Sequence, residues 1–405
     1  MSRPRALVIG ASIAGPSIAL WLSRAGFHIT IIERFPNLRT GGQAVDIRTS
    51  GVPVMRRMAD MEARVQANST QEEGVSFIRA DGTPYGVIKS TGNSECQGIA
   101  QVLYGLTKEL EGVEYVFGEQ VVSMRHDERN DGRVEVEFAN SLLTQTFDLV
   151  VACDGATSRT RAMAFGCGVR EHVVCWAAYF STKQDLLSGS KVGQGFSAVG
   201  GCFISIASDT NGSSRVMLMS HFPRNGADCT LPFREAARAG LSELKGYITQ
   251  QYRGAGWIAD QLLDEMMGSD DFYASEIVQI KMPILHKGGV VLVGDSGYAA
   301  GPTGGGTSLA LMGAYMLAGE LSKHKDGIAT GMNGYEDQMR PLIKEMQKIP
   351  RLVSSIMAPQ TAWGICVRNY LFAIVAWSGI AGHAQTYLGA AFASTDEFPL
   401  PGYAL

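Results

Sequence analysis

The chain lacks most of the features that mark the commoner functional classes. Its 35 Lys and Arg stand against 39 Asp and Glu, and no long block of one sign occurs. A nucleic-acid binder needs a basic footprint, so nucleic-acid partners are excluded, and there is no acidic tail either. The seven cysteines, at positions 96, 153, 167, 175, 202, 229 and 366, are odd in number and scattered, without a CxxC pair or metal-ligand spacing. That argues against a disulfide scaffold or a zinc module, predicts no metal, and suits a reducing cytoplasm. Internal repeats and low-complexity linkers are absent. The apolar stretch Tyr370 to Gly382, flanked by Arg368 and His383, is shorter than the ~20 residues that span a bilayer. It reads as a packed C-terminal helix or a dimer contact, which leaves a monomer or homodimer. Near the start, Arg3 and Arg5 precede an apolar run in the manner of a signal peptide, but Pro16 interrupts the run, and a strand with a glycine turn explains the same residues better.

What is present centres on Gly288 to Lys323. Val290 to Val293 is a short apolar run bounded by glycines, the pattern of a strand covered on both faces. It delivers Gly294 and Asp295 to its carboxyl end. A glycine-rich loop follows, with Thr307 or Ser308 as helix N-cap before the apolar run Leu309 to Leu321. Such a helix start offers free N–H groups and partial positive charge, so it suits a phosphate or an electron-rich ring edge, while Asp295 suits sugar hydroxyls.

The N-terminal segment supplies a second motif. Arg5 to Gly10 reads as a strand, GASIAG from Gly10 to Gly15 as the turn into a helix, and His28 to Glu33 as the next strand. This is the dinucleotide fingerprint in its proper setting. Gly10 permits the tight turn and Gly15 close helix–strand packing; Ser12 replaces the usual middle glycine. Glu33, followed by Arg34, is placed to bond an adenosine ribose. By itself the motif serves NAD or FAD equally. A third motif, Asp148 to Arg161, is an apolar strand ending in Asp154-Gly155, with Ser158 and Arg161 at a helix start.

Asp295, Pro302, Gly304 and Gly306 resemble the second flavin motif of the single-component aromatic hydroxylases, the para-hydroxybenzoate hydroxylase-like family. The fingerprint and the Asp154 segment match that family's first and middle motifs in the same chain order. The chain is similar to the tetracycline-inactivating members. The resemblance implies an α/β fold: a Rossmann-type FAD-binding domain (1–73, 101–170 and 281–325), an inserted mixed-sheet substrate domain (74–100 and 171–280) and a C-terminal helical region (326–405). It implies Asp295 on the ribityl chain, the Gly306–Thr307 helix end at the flavin pyrimidine, and Asp154 near both FAD and NADPH. In GGQAVD and its flanks, it places Asp46 and Arg48 near FAD and Arg39 in transient contact with NADPH. FAD is expected to be noncovalent, since no histidine or cysteine stands at a recognisable attachment position.

The activity so implied is a flavin monooxygenase: NADPH or NADH reduces the flavin, molecular oxygen adds to it, and the hydroperoxide transfers one oxygen atom to a substrate. The substrate class suggested is an apolar aromatic or polyunsaturated small molecule of secondary metabolism. No catalytic side chain can be assigned, because the cofactor carries the hard chemistry. The tryptophan-rich WxWxIP signature of flavin halogenases is absent. Strand-like stretches from Cys175 to Ser220 bring Tyr179, Phe180, Phe196, Phe203 and Phe222 as pocket or core residues. One departure stands out. Relatives carry a segment with a flavin-contacting arginine before the helix at Val102, whereas here Ser94, Glu95, Cys96 and Gln97 lead almost directly into it, with no arginine between Lys89 and Lys108. Either another residue substitutes or a local deletion has occurred; a deletion leaves a sheet edge unpaired and a flavin-binding protein or relic with impaired turnover.

Overall fold

The computed structural model describes residues 3–38, 47, 51–69, 72–89, 96, 98–126, 132–166, 170–209, 212–222, 228–324, 327–349, 358–378 and 399–405. Arg39, Asp46 and Arg48, and Ser94, Glu95 and Gln97 of the departing segment, lie outside them. A six-stranded sheet runs in the order His286–Lys287, Val290–Leu292, Leu149–Ala152, Arg5–Ile9, His28–Glu33, Val113–Phe117. All its pairings are parallel except the first hairpin. Leu149–Ala152 and Val290–Leu292 are buried throughout, as expected of strands covered on both faces. Against the sheet pack Ala14–Arg24 and Gly306–Lys323, whose Trp21 and Tyr315 rings meet edge to face at 5.1 Å. The second helix is buried continuously from Thr307 to Leu321 and so has no polar face.

A seven-stranded sheet runs Tyr273–Ile280, Arg170–Ser181, Ser214–His221, Cys202–Ser208, Val192–Ala198, Gly74–Phe77, Ile88–Lys89. Alternation along its strands gives it two unlike faces. Trp176, Phe180, Ile204, Ile206, Val216 and Leu218 join a core with the helices on that side, where Trp176 stacks on Phe233 at 5.1 Å. Phe180 and Phe196 belong to this core, so only Tyr179 of the five aromatics singled out in the sequence lines the cleft on the other face. Phe233 to Tyr252, which reads as one helix, is two, Leu231–Ala239 and Leu241–Tyr252, because Gly240 takes φ 142° and ψ 177° between them. The sequence suggests a helix from about Asn333 to Gln347, bent or broken near Pro341, but the helix runs unbroken from Ile328 to Met346, pinned on both sides of the proline by buried Tyr335, Met339 and Leu342.

The edge at Ile88–Lys89 is only two residues long, and the helix Ala362–Ser378 lies against the neighbouring turn. Phe372 meets Phe77 edge to face at 4.8 Å, and the Arg368 guanidinium sits 3.9 Å over the same Phe77 ring. The helix thus packs on the strand next to the edge and on the turn residues Tyr85 and Gly86. Among the described residues no helix is long and apolar enough to cross a membrane.

A three-stranded sheet, Val121–His126, Val134–Phe138 and Gln145–Phe147, is joined to the large sheet by Glu119. This side chain is 1% exposed beneath the 139–142 turn. Its carboxylate accepts five backbone N–H groups, from Gln120, Ala139, Asn140, Ser141 and Leu142, at 2.7–3.1 Å. Burial pushes its carboxyl up, but these donors outweigh it and hold it below the usual glutamate value. A depressed carboxyl contributes stability above its ordinary value and loses that contribution as pH falls through the folded value. Glu119→Gln is therefore expected to lose about 1.5–3 kcal/mol at neutral pH. Urea denaturation at neutral pH and near pH ~4 should show that deficit shrinking in acid; an equal deficit at both would contradict the assignment.

Candidate active site

Between the two large sheets lies a cleft of about 1700 Å³. Pockets for one drug-sized ligand run ~300–1,000 Å³, so this cleft has room for a dinucleotide and a substrate together. Gly10, Ser12, Glu33, Arg34, Asp154, Asp295, Pro302, Gly304, Gly306 and Thr307 all line it, bringing the three sequence motifs to one place. Gly15 and Gly294 stand behind the wall. A Cβ on Gly15 would lie 1.9 Å from the Gly10 carbonyl oxygen, and one on Gly294, at φ 73°, would lie 3.0 Å from the Ala14 Cβ. Both glycines are there so that backbone can approach backbone.

At the first motif, Glu33 accepts from Ala11 N at 3.0 Å and Phe35 N at 3.1 Å, which holds the turn onto the strand end. Arg34 lies 4.8 Å over the Phe35 ring. At the middle motif, Asp154 accepts from Ser158 Oγ at 2.5 Å and from Thr160 N and Oγ1 at 3.1 and 2.9 Å. It ties the strand end to the helix Arg159–Phe165, which Ser158 caps through Arg161 N.

At the third motif, the helix begins at Gly306 with Gly305 as N-cap and no side-chain cap bond, two or three residues earlier than Thr307 or Ser308 as N-cap would have set it. Its first N–H groups therefore face the cleft without a capping side chain. Asp295 stands beside them: a Cβ on Gly306 would lie 3.5 Å from Asp295 Oδ1. The Asp295 side chain is open to the cleft but walled by buried neighbours, and this enclosure raises its carboxyl above the ordinary aspartate value. No described residue donates a hydrogen bond to it.

Three buried residues that sequence reasoning left without a role set this geometry. Arg161 is 2% exposed, and its guanidinium donates to Ser296 O at 2.6 Å and Ala156 O at 2.9 Å, joining the second and third loops. Gln279 Nε2 donates to Ala300 O and Gln347 Nε2 to Ala299 O, both at 3.0 Å, which fixes the chain just before Pro302.

The substrate-side wall follows from strand register. Tyr273, Tyr179 and Met217 form one row, Ser275, Ala177 and Met219 the next. The two tyrosine rings are near-parallel with centroids 6.4 Å apart. Beyond them Asp271 accepts from Ser181 N and Oγ and pairs with Arg215 at 3.4 Å.

A family model described as an FAD binding domain matches residues 3–199. The flavin-dependent monooxygenase eupH of Phoma sp. is 30% identical over 401 residues, covering 90% of each chain. The chain belongs to the FAD-dependent monooxygenases. The FAD-dependent monooxygenase asL4 of Sarocladium schorii is 29% identical over 93% of both chains. Among solved structures, the tetracycline destructase Tet(51) superposes on this monooxygenase with a TM-score of 0.79 at 28% identity, covering 99% of this chain and all of that one. FAD fits the residues present, since a glycine turn, an uncapped helix start and a carboxylate that faces the cleft without a donor from a described residue meet in one place. Among the described residues no cluster of His, Cys, Asp and Glu could hold a metal ion.

If Arg161 sets the loops, its loss should be felt in the flavin-free protein. Arg161→Met keeps the bulk but removes the donor from the buried Ser296 carbonyl, at about 1–3 kcal/mol, and from the half-buried Ala156 carbonyl. A clear fall in the melting temperature of apoprotein is expected; an unchanged melt would show that other contacts position the loops.

Proposed function

We propose that this monooxygenase uses NADPH or NADH as electron donor and inserts one atom of molecular oxygen into a largely apolar aromatic or polyunsaturated small molecule of secondary metabolism. The observation that carries this reading is the wall opposite the Asp295 loop, where Tyr179, Tyr273, Met217 and Met219 offer a flat, polarizable surface to a planar molecule. The monooxygenase names of eupH and asL4, and the tetracycline-destroying neighbour, support it by analogy.

Bound FAD supplies the electron-transfer and oxygen chemistry. In this reading the chain's own residues bind, orient and shield. The Gly10–Gly15 turn at the start of the helix Ala14–Arg24 receives the pyrophosphate, and Glu33, with Arg34 beside it, the adenosine ribose. Asp295 accepts from ribityl hydroxyls, and the N–H groups at Gly306 and Thr307 meet the electron-rich edge of the flavin pyrimidine. The six-stranded sheet with its helices forms the FAD domain, the seven-stranded sheet the substrate domain, and the C-terminal helices a separate region, on the division 1–73, 101–170 and 281–325; 74–100 and 171–280; 326–405.

A specific departure favours impaired turnover as a second reading. The helix Ile99–Thr107 opens on Gly98 in the left-handed region (φ 63°), Ile99 is buried, and Cys96 bridges back to Ser69. Nothing between Lys89 and Lys108 brings an arginine to this end of the cleft; among the described residues the one that lines it there is Arg64, from the facing helix Met61–Ala67. A missing cation beside an anionic cofactor weakens its retention. Purified protein is expected to carry substoichiometric FAD and to release much of its reducing power as hydrogen peroxide, with product formed well below one per NADPH consumed. Inserting a relative's segment before Ile99 should raise both occupancy and coupling. Full occupancy with stoichiometric coupling in the chain as it stands would show the segment to be dispensable, and no substrate-stimulated NADPH oxidation in the repaired chain would overturn the monooxygenase reading itself.

A further inference from the structure

We propose that the protein forms a twofold-symmetric dimer through the helix Ala362–Ser378, with the two copies of the helix antiparallel. The helix is anchored by one side only. Its single charged residue, Arg368, is turned inward at 9% exposure and donates to Ser197 Oγ at 2.7 Å, while Phe372 packs on Phe77. The opposite side is apolar and, among the described residues, largely open, with Tyr370 meeting Tyr85 edge to face at 5.7 Å at its margin. Trp363, Val367, Tyr370, Ile374 and Trp377 are 77, 37, 55, 59 and 89% exposed, and Leu371 beside them is 58% exposed.

Two properties of this stripe select a second copy of the chain as its occupant. The first is spacing. Steps of four, three, four and three residues are those of a coiled-coil seam, which one helix presents to another. In an antiparallel pair an axis through Tyr370 sets Trp363 against Trp377 of the partner subunit and brings Val367 near Ile374 of the partner subunit, so that each contact occurs twice, as in an isologous interface. The second is area. Large side chains bury ~150–250 Å² each, so the exposed parts together come to roughly 700 Å². That is more than the ~300–600 Å² of the largest apolar patch on a typical monomer and close to the ~800 Å² per partner of a standard interface. A lipid surface suits the stripe less well, because no Lys or Arg on the open side is available to meet anionic headgroups.

The test uses the full FAD-loaded chain. Sedimentation equilibrium at micromolar concentration is expected to give a dimer, and the double variant Ile374→Glu, Trp377→Glu a monomer. Both substituted side chains are exposed, so the melting temperature and flavin spectrum should hold. In a Cys366→Ser background, Tyr370→Cys should form a disulfide-linked dimer on mild oxidation and Trp363→Cys should not, since the antiparallel arrangement sets the two 363 positions far apart. A monomeric parent chain would overturn the proposal, whether the stripe is then covered by residues 379–398 or binds phosphatidylcholine vesicles. A double variant that remains dimeric, or cross-linking at 363 alone as in a parallel pair, would overturn it equally.

Discussion

Arg161 reaches from the helix that follows the middle motif to Ser296 O, 135 residues away, and to Ala156 O in its own loop. Ser296 in turn donates through Oγ to Ala152 O at 2.6 Å, and Val293 N bonds the same Ala152 carbonyl at 3.0 Å. Cys153 N then bonds Ile9 O, the last residue of the first strand. One chain of bonds thus fixes the carboxyl ends of three neighbouring strands relative to one another. Open α/β sheets place ligands at that edge, and three loops emerging there must agree in position to within a fraction of an ångström to hold one cofactor. A buried guanidinium with carbonyl partners provides the required stiffness, because two directed bonds leave it no alternative rotamer of comparable energy.

The same edge carries an acid that its own loop does not satisfy. Asp295 is open to the cleft yet set among buried neighbours that raise its carboxyl above the usual value, and no described residue donates to it. Keeping the acid is reasonable when something outside the chain supplies the donors, and the sugar-alcohol chain of FAD has the required chemistry. The neighbouring Asp154 has been satisfied internally by Ser158 and Thr160. Two aspartates at equivalent strand ends thus differ: Asp154 is bonded within its own loop, and Asp295 has no donor among the described residues.

How far the sequence could be read depended on whether a feature is local. Glycine turns, buried strands and the helix of Gly306–Lys323 declare themselves within a dozen residues, and the three motifs brought together in the cleft were legible for that reason. Tertiary choices were less so. Whether Phe180 or Tyr179 faces the cleft depends on the parity of a strand, and both read alike as aromatics in a half-buried run. The break at Gly240 follows from a backbone conformation that glycine permits, whereas the unbroken passage through Pro341 was settled by packing on either side of it. Glu119, Gln279 and Gln347 could not be found from sequence, because each is defined by backbone groups far away along the chain.

The account's central claim is that Asp295 is a ligand-satisfied acid. If so, donors from the bound cofactor lower its carboxyl from the raised value of the free protein, and binding must release a proton when pH lies between the two values. Calorimetric titration of FAD into apoprotein at pH about 5, repeated in buffers of different ionisation enthalpy, counts that proton. The parent chain should release more protons than Asp295→Asn, and the variant should also bind FAD about ten- to a hundredfold more weakly, as expected for a lost charged acceptor. Equal proton counts and equal affinities in the two chains would contradict the claim and place the cofactor's sugar chain elsewhere.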